Sequence, residues 1–327
     1  MIRVKKSIIV CFALLASAFV AFGQQDAQFS QYMFNTLVIN PAYAGYKGTL
    51  NLSALHRSQW IGVNGAPETQ SLVLDGSFAN DKLGLALTIV NDNIGLQGQT
   101  NAYFNYAYKI KTSEEGTLAF GLGVGLGQVS MNNGGANFND PSDPNFNGGR
   151  LSFIAPDARA GVHYSNDKFY AGFSATNLFS RVFDYSTDTK NLIINQGQHF
   201  FLTAGYLIDV NDFLKFKPSF LIREDTKGPT SLDINNFFLL GEKVWIGASY
   251  RTAVNLFNKN STIGDVRNRN ALIGLLEVYA GKGFRLGYSY DQSLSGLQGF
   301  DNGSHEISLG YTFGSKKDYR ILSPRYF

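Results

Sequence analysis

Phe284-Arg285-Leu286-Gly287-Tyr288-Ser289-Tyr290 sets apolar or aromatic residues at every even position and small or charged ones between them. Successive side chains of a β-strand point to opposite faces, so this order describes a strand with one apolar face. The pattern recurs. Val244, Ile246, Ala248 and Tyr250 alternate with Trp245, Gly247, Ser249 and Arg251. Phe169, Ala171, Phe173 and Ala175 alternate with Tyr170, Gly172, Ser174 and Thr176, and Ile307, Leu309, Tyr311 and Phe313 with Glu306, Ser308, Gly310 and Thr312. Helical periodicity is nearly absent. The spacing predicts about 14 strands of roughly 9 to 13 residues, near the length a tilted strand needs to cross a hydrocarbon layer. Their expected starts are Thr49, Thr69, Lys82, Gln99, Thr117, Leu151, Lys168, Gln198, Phe213, Leu232, Lys243, Ala271, Phe284 and Ser304.

The connections separate a membrane barrel from a soluble β-sandwich. Every second one is short: Ala79-Asn80-Asp81, Thr112–Gly116, Ser165-Asn166-Asp167, Val210-Asn211-Asp212, Gly241-Glu242 and Gly281-Lys282-Gly283. Those between are long and polar: Ile61–Glu68, Asn91–Gly98, Met131–Arg150, Leu178–Gly197, Arg223–Ser231, Thr252–Asn270 and Gln292–Gly303. Outer-membrane barrels have short periplasmic turns and longer extracellular loops. A sandwich has no reason to alternate so regularly. Composition agrees: charged residues make up 16% and aromatics 14%, with 35 glycines, where soluble domains carry about 25% charged residues. The fold expected is an all-β transmembrane antiparallel barrel over residues 49–313.

The flanks read as processing and periplasmic segments. Arg3, Lys5 and Lys6 precede the apolar run Ser7–Val20 and the small-x-small site Ala21-Phe22-Gly23, the layout of a cleavable signal peptide over residues 1–23. The single cysteine, Cys11, lies in that apolar run rather than at a lipoprotein cleavage point. The formal net charge of +3 comes from the three leader cations. The remaining chain is balanced, so it has no electrostatic footprint for nucleic acid. Residues 24–48 are expected as a periplasmic N-terminal segment and residues 314–327 as a periplasmic tail.

Asp26-Ala-Gln-Phe-Ser-Gln-Tyr-Met-Phe-Asn-Thr-Leu-Val-Ile-Asn-Pro-Ala-Tyr-Ala-Gly45 follows no strand or helix rule. Together with Leu55-His56-Arg57-Ser58-Gln59-Trp60-Ile61-Gly62 and Gly65-Ala66-Pro67-Glu68-Thr69-Gln70, it resembles the N-terminal signature of the PorP/SprF family, outer-membrane proteins of the type IX secretion and gliding machinery. The resemblance implies a non-enzymatic outer-membrane component that supports export or surface anchoring of a large adhesin or other cargo through that cargo's C-terminal signal domain. It also implies periplasmic ring or lipoprotein partners. The alternative class is a passive outer-membrane channel or hydrophobic-compound transporter.

Phe29, Tyr32, Met33 and Phe34 form an apolar face at near-helical spacing, and Asn40-Pro41 ends any helix there. With Tyr43, these residues brace the barrel's periplasmic mouth or form a docking surface for the secretion apparatus. Trp60 and Pro67 fall on the first outward loop, where a surface partner could bind. Arg57, Arg159, Arg223, Arg251, Arg285, Glu277 and Glu306 fall on or near strands. A charge on the lipid face costs about 2–4 kcal/mol at the midplane, so Arg285 and Glu306, on adjacent strands, are placed in the lumen as a candidate structural pair.

Other motifs carry less. Gly121-Leu-Gly-Val-Gly-Leu-Gly127 lacks the following helix of a phosphate loop. Its small residues leave lumen space for a packed segment or a ligand, or ease strand curvature. Asn139–Asn145 is oxygen-rich without ordered calcium-loop spacing. His56, His163, His199 and His305 are scattered, and no metal, cofactor or catalytic constellation is expected.

Overall fold

The computed structural model describes residues 27–132, 150–179, 197–226, 230–254, 256, 270–281, 283–294 and 298–314. The expected signal peptide, the Asn139–Asn145 stretch, most of the three longest expected loops and the tail from residue 315 lie outside them.

The wall runs β1 (Leu50–Ser58), β2 (Glu68–Phe78), β3 (Leu83–Ile94), β4 (Gln97–Lys111), β5 (Thr117–Asn132), β6 (Arg150–Ser165), β7 (Phe169–Thr176) and β8 (His199–Tyr206). It continues with β9 (Ile208–Asp209), β10 (Leu214–Asp225), β11 (Thr230–Leu240), β12 (Val244–Val254), β13 (Ala271–Gly281), β14 (Phe284–Ser293) and β15 (Ser304–Phe313). The two residues of β9 continue β8 past Leu207, so the wall is a closed antiparallel barrel of fourteen strands. β15 pairs with β1, from Leu50↔Phe313 to Ser58↔His305, which leaves no free sheet edge. Every strand begins within two residues of its expected start.

Two expected loops are shorter than the polar sequence suggested. Asn91–Gly98 is not a loop: β3 and β4 pair as far as Ile94↔Gln97 and leave only Gly95 and Leu96 to turn. Gly95 supplies the positive φ of 57° that this tight turn needs. The β10–β11 strands likewise extend to Asp225 and from Thr230. Polar side chains here continue the hydrogen-bond ladder beyond the apolar band rather than leave it.

Alternation sorts the faces as expected. Leu122, Val124 and Leu126 on β5 are more than half exposed, while Gly121 and Gly123, on the opposite face, are buried. The inward face is not only small or charged. Leu55, Phe201, Leu221, Phe237, Leu239, Trp245 and Leu275 point inward and form a core with Phe29, Tyr32, Met33, Phe34 and Ile39. A second cluster joins Leu37, Tyr43 and Ala44 to Val73, Ala86 and Ala107. The barrel therefore has an apolar exterior and a packed interior, and the N-terminal segment forms the centre of that interior.

Leu122 lies near the middle of the exposed band, so Leu122→Arg should destabilise the barrel by about 2–4 kcal/mol. Equilibrium urea unfolding from phospholipid vesicles measures this, and an unchanged midpoint would mean that β5 does not face lipid.

Candidate functional site: a signature segment clasped in the lumen

Residues 27–48 build no α-helix. They run through the lumen as turns with two short 3₁₀ segments, Thr36–Val38 and Pro41–Tyr43, the second capped by the Asn40 side chain accepting from the Ala42 N–H at 2.9 Å. The sequence reading placed this segment at the periplasmic mouth. The structure carries it further: its first residues bind the long-loop half of the wall, and its last residues reach the short-turn end.

At the long-loop end, one carboxylate receives the segment's backbone. Glu306 Oε2 accepts from the Ser30 N–H at 2.9 Å and Oε1 from the Gln31 N–H at 2.7 Å. The Gln31 amide donates to the Glu306 carbonyl at 2.9 Å and accepts from the Ser308 hydroxyl at 2.7 Å. Arg57 balances the charge, with Nη1 3.0 Å from Glu306 and Nη2 2.7 Å from Asp291. Ser30 Oγ sits between them, donating to Asp291 at 2.6 Å and accepting from Arg57 at 2.9 Å. Beside it Arg251 grips Asp233 through two 2.8 Å bonds and donates to the Phe29 carbonyl at 3.2 Å. These charges are almost wholly buried. Each has an opposite partner and several hydrogen bonds, the condition under which buried ions are tolerated.

Further along, the contacts pass around the wall. Asn235 donates to the Tyr32 hydroxyl at 2.7 Å and accepts from Ser249 at 2.5 Å. Asn35 donates to Ser71 at 3.3 Å, Arg159 to the Val38 carbonyl at 3.3 Å, and Ser174 to the Ile39 carbonyl at 2.6 Å. Asn40 donates to the Val162 carbonyl at 3.2 Å, and the Lys109 ammonium bonds the Gly45 carbonyl. Phe34 meets Phe237 edge-on with ring centroids 6.5 Å apart, and Tyr43 meets His163 at 5.2 Å. Wall glycines mark where the backbone passes closest: a Cβ at Gly121 would overlap Pro41 and Ala42, one at Gly84 would overlap Ala44, and one at Gly287 the Gln31 amide. The glycine run on β5 is thus a seat for a packed segment.

Phe29, Tyr32, Met33, Phe34, Asn40, Pro41 and Tyr43 are all brought together in this interior and are buried. Trp60 and Pro67 lie apart, at the long-loop rim. The Trp60 N–H donates to Ser304 Oγ at 3.2 Å and the Pro67 carbonyl accepts from the Gln59 N–H at 2.9 Å, while Ile61 and Val63 stay exposed.

Arg285 and Glu306 both face the lumen, but they do not pair with each other. Register sets Arg285 opposite Gly310 and Glu306 opposite Ser289, four residues apart along the strands, or roughly 14 Å. Arg285 lies over Gly310 and donates to Ser53 at 3.3 Å, while Glu306 belongs to Arg57 and the segment. Asp233, Asp291 and Asn235, which complete the clasp, were not singled out from the sequence. Their one signal was a polar side chain at an inward position of a strand that faces lipid on its other side.

Among the described residues, cavities beside the segment include one of about 10 Å³ beside Phe34 and Arg285 and one of about 20 Å³ beside Tyr46 and His163, each with room for about one water. Of the histidines, His163 and His199 point inward, whereas His56 and His305 face outward and bond Ser58 and Tyr288. Among the described residues no three His, Cys, Asp or Glu side chains are placed to hold a metal.

Glu306→Ala frees the Ser30 and Gln31 backbone N–H groups and leaves Asp291 as Arg57's carboxylate partner, so it should weaken the clasp by about 1–3 kcal/mol for each group left unpaired. In planar bilayers the purified native barrel should be electrically silent and the variant should conduct. Gly121→Leu, which removes space rather than charge, should open the barrel similarly. Silence in both variants would show that the segment does not seal the lumen.

Two solved structures resemble this chain. The toluene transporter TbuX of Ralstonia pickettii superposes with a TM-score of 0.50 at 10% identity, covering 90% of this chain and 97% of that one. The outer-membrane protein Omp33 of Acinetobacter baumannii gives 0.46 at 8% identity, covering 82% and 100%. At such identities the likeness concerns the outer-membrane barrel fold alone. No curated protein matches the sequence. The model of one family, however, matches residues 21–311, which include the whole clasped segment and nearly all of the wall. By that match the chain belongs to the PorP/SprF family of type IX secretion system membrane proteins.

Proposed function

We propose that this barrel is a sealed, non-enzymatic holding component of type IX secretion, which supports export or surface anchoring of a large adhesin or similar cargo by gripping the cargo's C-terminal signal domain at its long-loop end. The observation that carries this reading is the clasped segment. A lumen filled by residues 29–45 leaves no path for a polypeptide, so the barrel can act on a partner only through its rims. With the short turns periplasmic and the long loops outside, as is usual for outer-membrane barrels, Trp60, Pro67 and the loops 131–150, 178–197 and 252–270 form the external rim. Most of those three loops lies outside the described residues, and their role is part of the proposal. The periplasmic ring or lipoprotein partners would meet the short-turn rim and the tail from residue 314. Under the same orientation, the N-terminal segment starts near the outer mouth and ends at the periplasmic one. Phe29 to Tyr43 serve the seal, and they would dock a partner only if the segment left the lumen. The passive channel and hydrophobic-compound transporter readings require that same departure.

Gentle detergent extraction of the tagged protein from its native outer membrane, followed by mass spectrometry, tests the proposal. A large surface protein or type IX periplasmic components should co-purify. Recovery as a lone barrel that conducts ions in planar bilayers would favour the channel. Exchange of loops 131–150 and 178–197 with those of a paralogue should redirect which adhesin reaches the surface, read by surface labelling of whole cells. Unchanged specificity would remove those loops from the mechanism.

A further inference from the structure

His163 is buried, yet neither of its ring nitrogens has a hydrogen-bond partner among the described residues. An imidazole carries at least one N–H, and a buried donor without an acceptor is unfavourable. The ring stands between Tyr43 and Tyr46 of the segment, with centroids at 5.2 and 5.1 Å and planes nearly perpendicular to both. Aromatic packing therefore fixes its position. His163 borders the cavity of about 20 Å³, and Tyr46, Tyr170 and Lys217 border it as well. Lys217 is also buried, its ammonium 4.9 Å from the centre of the Tyr170 ring and 6.0 Å from that of Trp245.

Charge in this half of the lumen is unbalanced. Inward of the short-turn rim the described carboxylates are Asp75 and Glu277, both buried. Lys47, Lys109 and Arg285 act on Asp75, and Lys47, Lys217 and Arg285 on Glu277, so four cations face two carboxylates. At the rim itself Lys215 has Asp209 and Glu242, at 3.6 and 3.7 Å. The surplus sits inside a closed wall, where uncompensated charge is costly. Loss of protons or a counter-ion can remove it, and the cavity favours the counter-ion. It gathers donors: the Lys217 ammonium, the Tyr46 hydroxyl and the imidazole N–H. No described carboxylate lines it. Its volume exceeds the roughly 10–15 Å³ that one water-sized probe needs.

We propose that this cavity is a binding site for one small monovalent anion, chloride or an ion of its size, held between Lys217 and His163. The ion accepts from the Lys217 ammonium of β10, from the His163 N–H of β6 and from the Tyr46 hydroxyl of the segment. It offsets surplus positive charge and gives the imidazole its missing acceptor. It also ties the end of the segment to two strands of the wall. The Glu306 carboxylate secures the start of the segment through backbone donors; the anion secures its end through side-chain donors.

The chain has two tryptophans, Trp60 at the long-loop rim and Trp245 beside Lys217, so Trp60→Phe leaves an optical reporter at the site. Bromide quenches indole on contact and matches chloride in charge and nearly in size. The purified barrel carrying Trp60→Phe is titrated with sodium bromide, with gluconate holding the ionic strength constant. Its fluorescence should fall along a saturating curve, and chloride should restore it. Adding Lys217→Met should weaken bromide binding about tenfold or more. His163→Phe keeps a ring between the two tyrosines and removes the N–H, and so carries the test if Lys217→Met assembles poorly. It should weaken binding about tenfold, as loss of one hydrogen bond to an ion does. In crystals of the unaltered protein grown in bromide, the anomalous signal should place one ion between Lys217 and His163. Quenching that rises linearly without saturation, binding that both substitutions leave unchanged, or bromide found only as an adventitious surface ion would overturn the proposal.

Discussion

One carboxylate organises this protein. Glu306 ends two backbone N–H groups of the lumen segment and holds Arg57, which in turn holds Ser30 and Asp291. Inside a closed barrel, water is scarce and every such group must find its partner in the protein. The Arg57–Glu306–Asp291 arrangement pairs three wall charges and the start of the segment together, and leaves Arg57 Nε and one Asp291 oxygen without a partner among the described residues. Arg251 with Asp233 repeats the solution for the Phe29 carbonyl. The signature order therefore follows from the clasp: Ser30 offers a hydroxyl that both donates and accepts, and Gln31 offers both ends of an amide. Phe29 and Tyr32 to Phe34 then fill the apolar half of the lumen.

The wall has adapted to what it contains. Glycine stands where the segment's backbone touches a strand, as at Gly84 and Gly121, while large apolar residues point inward where the segment leaves room, as at Phe237 and Trp245. Interior packing of this kind is unlike a water-filled pore, whose inner face is polar. It makes the seal a matter of shape as well as of charge, with the two kinds of contact concentrated at different heights.

Much of the wall was legible in the sequence. Strand starts, facing and count follow from period-two alternation, because lipid outside imposes it on every strand. The lumen placement of Arg285 and Glu306 follows from the same rule, but their partners do not. Which charges meet depends on register across connections and on a segment more than 270 residues away from Glu306, neither of which local patterning encodes. Asn235-Asn-Phe-Phe-Leu-Leu240 blurs the alternation because both faces of β11 meet apolar surroundings, lipid on one side and Phe34 on the other. Asn91–Gly98 misled in the opposite direction, since a polar hairpin above the membrane has a loop's composition. The signature itself suggested bracing, yet its depth was hidden, since its contacts are spread around the wall from β1 to β15.

The clasp joins Ser30 and Gln31 to β15, the strand that closes the wall. Synthesis delivers Ser30 and Gln31 before any strand of the wall and Glu306 only with β15, which also closes the wall against β1. Closure and sealing thus become a single event. A chain cut short before β15 would lack both its seam and the carboxylate that retains its own stopper. The same strand thus supplies both the seam of the wall and the carboxylate that holds the stopper in it.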